Sequence, residues 1–149
     1  MNKNNHDSLD PGLLPELLGY ELRRAQIRVF QDFADALGGH DLTPGHFGIL
    51  VLLSRNPGIS QTKLAKAVGV ERSTLGEVIE KLDSRGLLDR KPSAADRRSL
   101  AVRLSSKGEE FLEQVVPMVR AHEDNIAGDL SAIERATLLD LLGRLASDN

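Results

Sequence analysis

Apolar positions recur with a helical period over most of the chain, and glycine and proline divide the pattern into segments. From Leu13 to about Leu37, Leu18, Leu22, Val29 and Phe33 fall at helical spacing, with Ala25 filling the step between. This predicts a long amphipathic helix closed by Gly38-Gly39. Thr43-Pro44 has the chemistry of a helix start, a hydroxyl N-cap followed by proline where a missing N–H costs nothing. The helix it opens carries Phe47, Leu50, Val51 and Leu53 and ends before Asn56-Pro57-Gly58. Ser60 is expected to cap a short helix through Ala67, and Gly69 to turn the chain. A further helix then runs from about Glu71 to Arg85 and stops at Gly86.

The period changes after Gly86. Leu87 to Lys91 and Ser99 to Leu104 are short and alternating, and Leu100, Val102 and Leu104 share one face of the second. The polar link from Pro92 to Arg98 makes the pair a β-hairpin with a long tip. After Ser105-Ser106 a long helix carries Phe111, Leu112, Val115, Val119, His122 and Ile126 to about Ala127, with a kink expected at Pro117. Ser131 and Glu134 form a capping box that opens a last helix bearing Leu138, Leu139, Leu141, Leu142 and Leu145. The expected order is four helices, a hairpin and two helices, a mainly α fold with a small β-hairpin. We read it as one domain over 11–149. A winged helix-turn-helix spans about 43–104, and dimerisation helices span about 11–38 and 105–147.

The segment Gln61 to Leu82 meets the steric demands of a helix-turn-helix. Ala65 is small where two helices cross closely, and Gly69 can take the positive φ of the tight turn. Leu64, Val68, Val70, Leu75, Val78, Ile79 and Leu82 supply the faces that lock the pair. Arg72, Ser73, Thr74, Gly76 and Glu77 are left outward near the start of the second helix, the end that enters a DNA major groove in this motif. Arg72 can bind guanine in bidentate fashion or hold a phosphate, while Ser73 and Thr74 can reach phosphates or base edges. Gly76 allows close approach to the groove wall. Glu77 either accepts from cytosine N4 or is simply solvated. Ser60, Gln61, Thr62, Lys81 and Arg90 complete the candidate DNA face.

Charge supports this placement. Ser60 to Leu104 holds ten Lys and Arg against six Asp and Glu, a local +4 that leaves -7 on the remainder of a chain whose net charge is -3. A basic middle in an acidic frame is the footprint of a nucleic-acid face on an otherwise acidic body. At the hairpin tip, Arg97 and Arg98 suit the negative potential of a minor groove, and Asp96 can orient one of them by a charge-assisted hydrogen bond.

These features resemble the MarR family of bacterial regulators over nearly the whole chain. The carriers are Leu42-Thr43-Pro44-Gly45-His46-Phe47, Asn56-Pro57-Gly58-Ile59-Ser60-Gln61, Arg72-Ser73-Thr74, Leu82-Asp83-Ser84-Arg85-Gly86-Leu87, Asp96-Arg97-Arg98-Ser99 and Leu104-Ser105-Ser106-Lys107-Gly108. The resemblance implies a homodimer built by the terminal helices, with two lobes on a near-palindromic double-stranded operator. It would make Arg72, Ser73 and Thr74 groove contacts and Arg98 the minor-groove residue. Glu71 departs from the Ser-like cap common in the family, and glutamate is a weaker N-cap.

The long apolar rows of the terminal helices exceed what the small central lobe can cover, which independently points to two-fold pairing. An effector held between those helices and the lobe would meet Tyr20, Arg23, Arg24, Ile27, Phe30, His46, Phe47 and Leu50. Apolar groups with a few cations suit an aromatic acid or a larger acyl-thioester whose phosphates need arginine. The tract Leu18 to Gln26, with Phe30 and Phe33, is similar to regulators of hydroxycinnamate breakdown that sense a coenzyme A thioester.

Other classes fit poorly. With no cysteine, disulfides and thiolate metal sites are excluded. Histidines at 6, 40, 46 and 122 lack metal-ligand spacing, and no Gly-x-Ser-x-Gly elbow, phosphate loop or His-Glu-x-x-His is present, so neither an enzyme nor a cofactor is expected. No apolar run approaches the roughly 20 residues of a membrane span. Met1 to Asp10 is polar and reads as a disordered tail of a cytoplasmic protein rather than a signal peptide. The alternative is a winged helix used for protein contacts without DNA, which would not need Arg72 together with Arg97 and Arg98.

Overall fold

A computed structural model of the chain describes residues 9–92 and 100–147. Residues 1–8 of the expected tail over 1–10, and the hairpin tip with Asp96, Arg97 and Arg98, lie outside the described residues. The helices are α1 (Leu18–Leu37), α2 (Pro44–Arg55), α3 (Gln61–Val68), α4 (Arg72–Ser84), α5 (Ser106–Ile126) and α6 (Ala132–Ala146). The strands are β1 (Ile59–Ser60), β2 (Leu88–Pro92) and β3 (Leu100–Leu104).

The expected helices form, and their caps explain where most of them start. Thr43 accepts a hydrogen bond from the His46 N–H at 3.1 Å, Ser60 from Lys63 at 3.3 Å and Ser105 from Gly108 at 3.0 Å. Ser131 and Glu134 close the reciprocal capping box. Gly69 and Gly86 take φ of +71° and +73°, ending α3 and turning the chain after α4.

Four expectations need correction. The first helix begins at Leu18, after a separate 3₁₀ turn over Leu14–Glu16, because Pro15 starts that turn and Leu17 is extended. Gly38-Gly39 does not close it: Gly38 stays right-handed in a 3₁₀ turn over Gly38–His40, and the left-handed residue is Asp41 at φ 47°. Third, the sheet has an additional strand. Two-residue β1 pairs with β3 through Ile59↔Val102 and Ser60↔Ala101, giving the antiparallel order β1-β3-β2. Two residues are too few to show a period. Finally, Val102 and Leu104 are buried as expected, but Leu100 on the same face lies beyond the core and is exposed. Helix α5 continues through Pro117, whose ring nitrogen has no proton to donate.

One core joins the lobe to α5 and the end of α1. Leu37, Leu50, Leu53, Leu64, Leu75, Ile79, Leu82, Val102 and Val115 have no accessible surface. Each fully buried Leu or Ile contributes about 1.5–3 kcal/mol relative to leaving it exposed. Gly108 lets α5 dock against Leu87 at the entry to β2, since a Cβ there would lie 2.1 Å from the Leu87 carbonyl oxygen. A polar tie joins α1 to α5: His122, only 3% exposed, shares a 2.6 Å hydrogen bond through Nδ1 with Asp32, and Asn125 donates to Asp32 at 3.0 Å.

The terminal helices are different. Helix α6 has no buried residue, and in α1 only Phe33 and Leu37 reach the core. Leu18, Leu22, Leu138, Leu141 and Leu145 line an open apolar groove of about 950 Å³ between them.

Candidate nucleic-acid interface

The helix-turn-helix is assembled by burial on one side and exposure on the other. Helix α3 contributes Leu64 and Ala65 and helix α4 contributes Leu75, Ile79 and Leu82 to the core. The turn between them is closed by Val70 N–H donating to the Ala65 carbonyl at 3.1 Å. Val70 itself was expected to lock the pair, but its side chain remains 41% exposed.

With that face fixed, Arg72, Ser73, Thr74 and Glu77 project to solvent from the first half of α4, and Gly76 is half-buried. A Cβ added at Gly76 would meet nothing within 4 Å, so packing inside the protein does not require glycine there. Glu71 occupies the N-cap position in an extended conformation and makes no side-chain cap. The first-turn N–H groups of α4 therefore lack that side-chain acceptor, and their partial positive charge lies at the same end of the helix as Arg72.

The remaining candidates divide. Thr62 is exposed and Gln61 half-buried beside the turn. The Ser60 hydroxyl is committed to capping α3. Lys81 pairs with Asp41 at 3.2 Å, and Arg90 pairs with Asp83 at 3.0 Å with its side chain only 26% exposed. Lys81 thereby ties α4 to the α1–α2 connection and stays 45% exposed, while Arg90 ties β2 to α4. Periodicity identifies the face of a helix; it says nothing about an acidic partner forty positions away.

The effector candidates do not converge on one cavity. Tyr20, Arg23, Arg24, Ile27 and Phe30 lie along the outer surface of α1, with Arg24 paired to Glu21 at 3.1 Å and its guanidinium 5.7 Å from the Tyr20 ring. Leu50 has no accessible surface and is a core residue, a correction that follows from its place between α2 and its neighbours in the core. Phe47 lines a cleft of about 600 Å³ between α2, α5 and the start of α6, with Val51, Val116, Val119, Arg120 and Arg135. Glu123 and Asp124 are on the same wall, and Asp124 holds Arg135 at 2.8 Å.

His46 stands apart from that cleft. Its Nδ1 is buried without a partner among the described residues. Burial pushes its pKa below the ordinary histidine value, the Lys81 ammonium adds to this, Asp41 opposes it and Arg85 adds a smaller push downward. Sequence reasoning missed Asp32, Asn125, Asp41 and the guanidinium of Arg85, all polar groups whose partners are on distant elements.

Among the described residues, no group of His, Cys, Asp and Glu could hold a metal ion, and no helix is long and apolar enough to cross a membrane.

Comparison with known proteins agrees with this architecture. A family model for the MarR family matches residues 40–99. The chain is 37% identical over 129 residues to a putative transcriptional regulatory protein for the hcr operon of Thauera aromatica, covering 86% of this chain and 78% of that protein. Among solved structures, the transcriptional repressor CouR bound to a 23-mer DNA duplex superposes with a TM-score of 0.89 at 40% identity, covering 94% of this chain and 99% of that one. CouR bound to p-coumaroyl-CoA gives a TM-score of 0.87 at 38% identity, covering 95% and 100%. The helix-turn-helix built on α3 and α4, the antiparallel sheet behind it and this likeness along almost the whole chain make the protein a MarR-family transcription regulator.

Proposed function

We propose that this protein is a cytoplasmic repressor that binds a near-palindromic operator as a homodimer and is released by an aromatic acid or its coenzyme A thioester. The observation that carries the DNA reading is the first turn of α4. It presents Arg72, Ser73 and Thr74 outward on a helix whose opposite face is locked into the core. In this reading the lobe over about 43–104 grips DNA, with Arg98 in the minor groove, Asp96 bracing it and Arg97 on the backbone. Residues about 11–38 and 105–147 pair the protomers through the uncovered groove of α1 and α6, setting the two recognition helices roughly one DNA turn, about 34 Å, apart.

The effector reading draws on the cleft beside Phe47. Its floor of Phe47, Val51, Val116 and Val119 suits an aromatic ring, and Arg120 at the rim suits a carboxylate or phosphate. The α1 candidates, half-buried Tyr20 with exposed Arg23, Arg24, Ile27 and Phe30, form a second apolar and cationic surface available to a ligand longer than one ring. Likeness to a repressor solved with p-coumaroyl-CoA supports a thioester of this class.

The test has two separable arms. Arg72→Ala should weaken binding to a selected operator by about 1–3 kcal/mol and relax sequence preference at one position. A uniform loss across sequences reassigns Arg72 to a phosphate, and no loss removes α4 from the interface. In the second arm, 4-hydroxycinnamoyl-CoA, free 4-hydroxycinnamate and coenzyme A alone are titrated into the operator complex. Release by the thioester or the acid is expected, and release by neither overturns the effector assignment.

A further inference from the structure

Arg85 sits immediately after the recognition helix, at its C-cap, and its guanidinium joins three elements. Nη1 donates to the Asp41 carbonyl at 2.8 Å and Nη2 to the His40 carbonyl at 2.8 Å. The guanidinium carbon also lies 5.1 Å from the centre of the Phe111 ring of α5, which His40 meets edge-on at 6.1 Å. One turn earlier, Lys81 reaches the Asp41 carboxylate at 3.2 Å. Asp41 is itself the described non-glycine residue with positive φ, so the direction of its carbonyl is set by an unusual backbone conformation. Arg72, Ser73 and Thr74 stand about three turns away, at the other end of α4.

We infer that Arg85, assisted by the Lys81–Asp41 pair, is a positioning residue that sets the angle of the recognition helix relative to the dimerisation helices. The buried face of Leu75, Ile79 and Leu82 fixes α4 inside its own lobe. The Arg85 junction ties the far end of α4 to the α1–α2 connection and to α5, the elements that lead to the dimer faces. Two successive carbonyls received by one planar fork define an orientation as well as a distance, which a lysine ammonium cannot reproduce. The junction therefore governs how strictly the two recognition helices keep their separation. This inference rests on the reading of the protein as a dimer on two half-sites.

The experiment uses full-length protein and a DNA site obtained by in vitro selection with the unsubstituted protein. A second site carries one extra central base pair, which moves a half-site by about 3.4 Å and turns it by roughly 35°. The unsubstituted dimer should bind the longer site about 100-fold more weakly. Arg85→Met should bind the selected site about tenfold more weakly yet lose only a few-fold more on the longer one. Its salt dependence should match that of the unsubstituted protein, and Arg85→Lys should not restore spacing discrimination.

Three results would overturn the inference. These are an equal loss on both sites, full restoration by lysine, or a salt slope smaller by about one, which would mark a direct phosphate contact. Should Arg85→Met not form a dimer, Arg85→Gln decides, because the shorter uncharged amide keeps a polar residue at the helix end while removing the fork on the two carbonyls. Relaxed spacing discrimination in that variant supports the inference and unchanged discrimination overturns it. If the unsubstituted protein selects no paired half-sites, it is the dimeric DNA reading that fails.

Discussion

The DNA-binding lobe and the terminal helices are built from similar proportions of leucine and differ in what those leucines touch. Leu50, Leu53, Leu64, Leu75 and Leu82 of the lobe have no accessible surface. In α6, Leu138, Leu139, Leu141 and Leu145 remain between 45% and 63% exposed. A helix rich in leucine that buries none of it within its own chain is half of an interface. The contrast teaches that hydrophobicity sets how much a segment needs to bury, while the fold decides whether one chain can do it.

The strongest way to break the comparison is to put charge into the open groove. Leu138→Glu combined with Leu141→Glu should raise the dimer dissociation constant about 1,000-fold, roughly 4 kcal/mol, because two carboxylates would have to be desolvated against Leu18 and Leu22. Sedimentation equilibrium measures this directly. Helical content and the cooperativity of the lobe should persist, since neither leucine contributes to the buried core. An unchanged dimer would show that α1 and α6 are covered by something else.

Where the lobe meets α5, the sensitive point is Gly108. Alanine there would place its Cβ 2.1 Å from the Leu87 carbonyl oxygen, so backbone must move. We expect Gly108→Ala to cost about 2–3 kcal/mol in denaturant unfolding. Gly143 in α6 gives the matched control, because a Cβ there meets nothing within 4 Å. Replacing it with alanine should leave the lobe unaffected. Equal losses at the two positions would erase the distinction between a closed core and an open helix face.

How much of this was legible beforehand follows the same division. Local chemistry was readable: Thr43, Ser60 and Ser131 cap helices through their own hydroxyls, and Gly69 takes positive φ because an inter-helix turn demands it. The uncovered leucines of α6 were readable too, since their number exceeds what the lobe can bury. Polar partners across elements were not. Asp32 with His122, Asp41 with Lys81 and Asp83 with Arg90 each join residues whose separation in sequence carries no period. Among the site candidates, Leu50, Lys81 and Arg90 have surroundings set by tertiary neighbours, the apolar core for the first and carboxylates for the other two.

A smaller effect sharpens the lobe's own two faces. Gly76 is a helix-interior glycine with no internal neighbour to clash with. Gly76→Ala should therefore stabilise the free protein by about 0.5–1 kcal/mol through helix propensity. If α4 enters the groove on this side, the same methyl should weaken operator binding severalfold. Stability rising while affinity falls is the expected pairing. Stability and affinity rising together would place the DNA on another face of α4.

The smallest expected effect concerns His46, at the junction between the lobe and the α1–α2 connection. Burial and the Lys81 ammonium hold its pKa below the ordinary value of about 6.5, with Asp41 pulling the other way. As pH falls below about 6.5, the unfolded chain takes up a proton that the folded chain resists. Folding stability should therefore fall with acid between that value and the lower folded pKa, and the contribution is fully present above it. His46 is only partly buried, so solvent screening keeps the slope shallow. Denaturant midpoints measured from pH 7.5 down to pH 5 should show a weaker pH dependence for His46→Gln than for the unsubstituted protein. Asp41→Asn removes the carboxylate that raises this pKa, so it should carry the loss further toward acid. Matching slopes for all three proteins would mean that His46 titrates as it does in the unfolded chain. The junction beneath the recognition helix would then be more open to water than the orphaned Nδ1 implies.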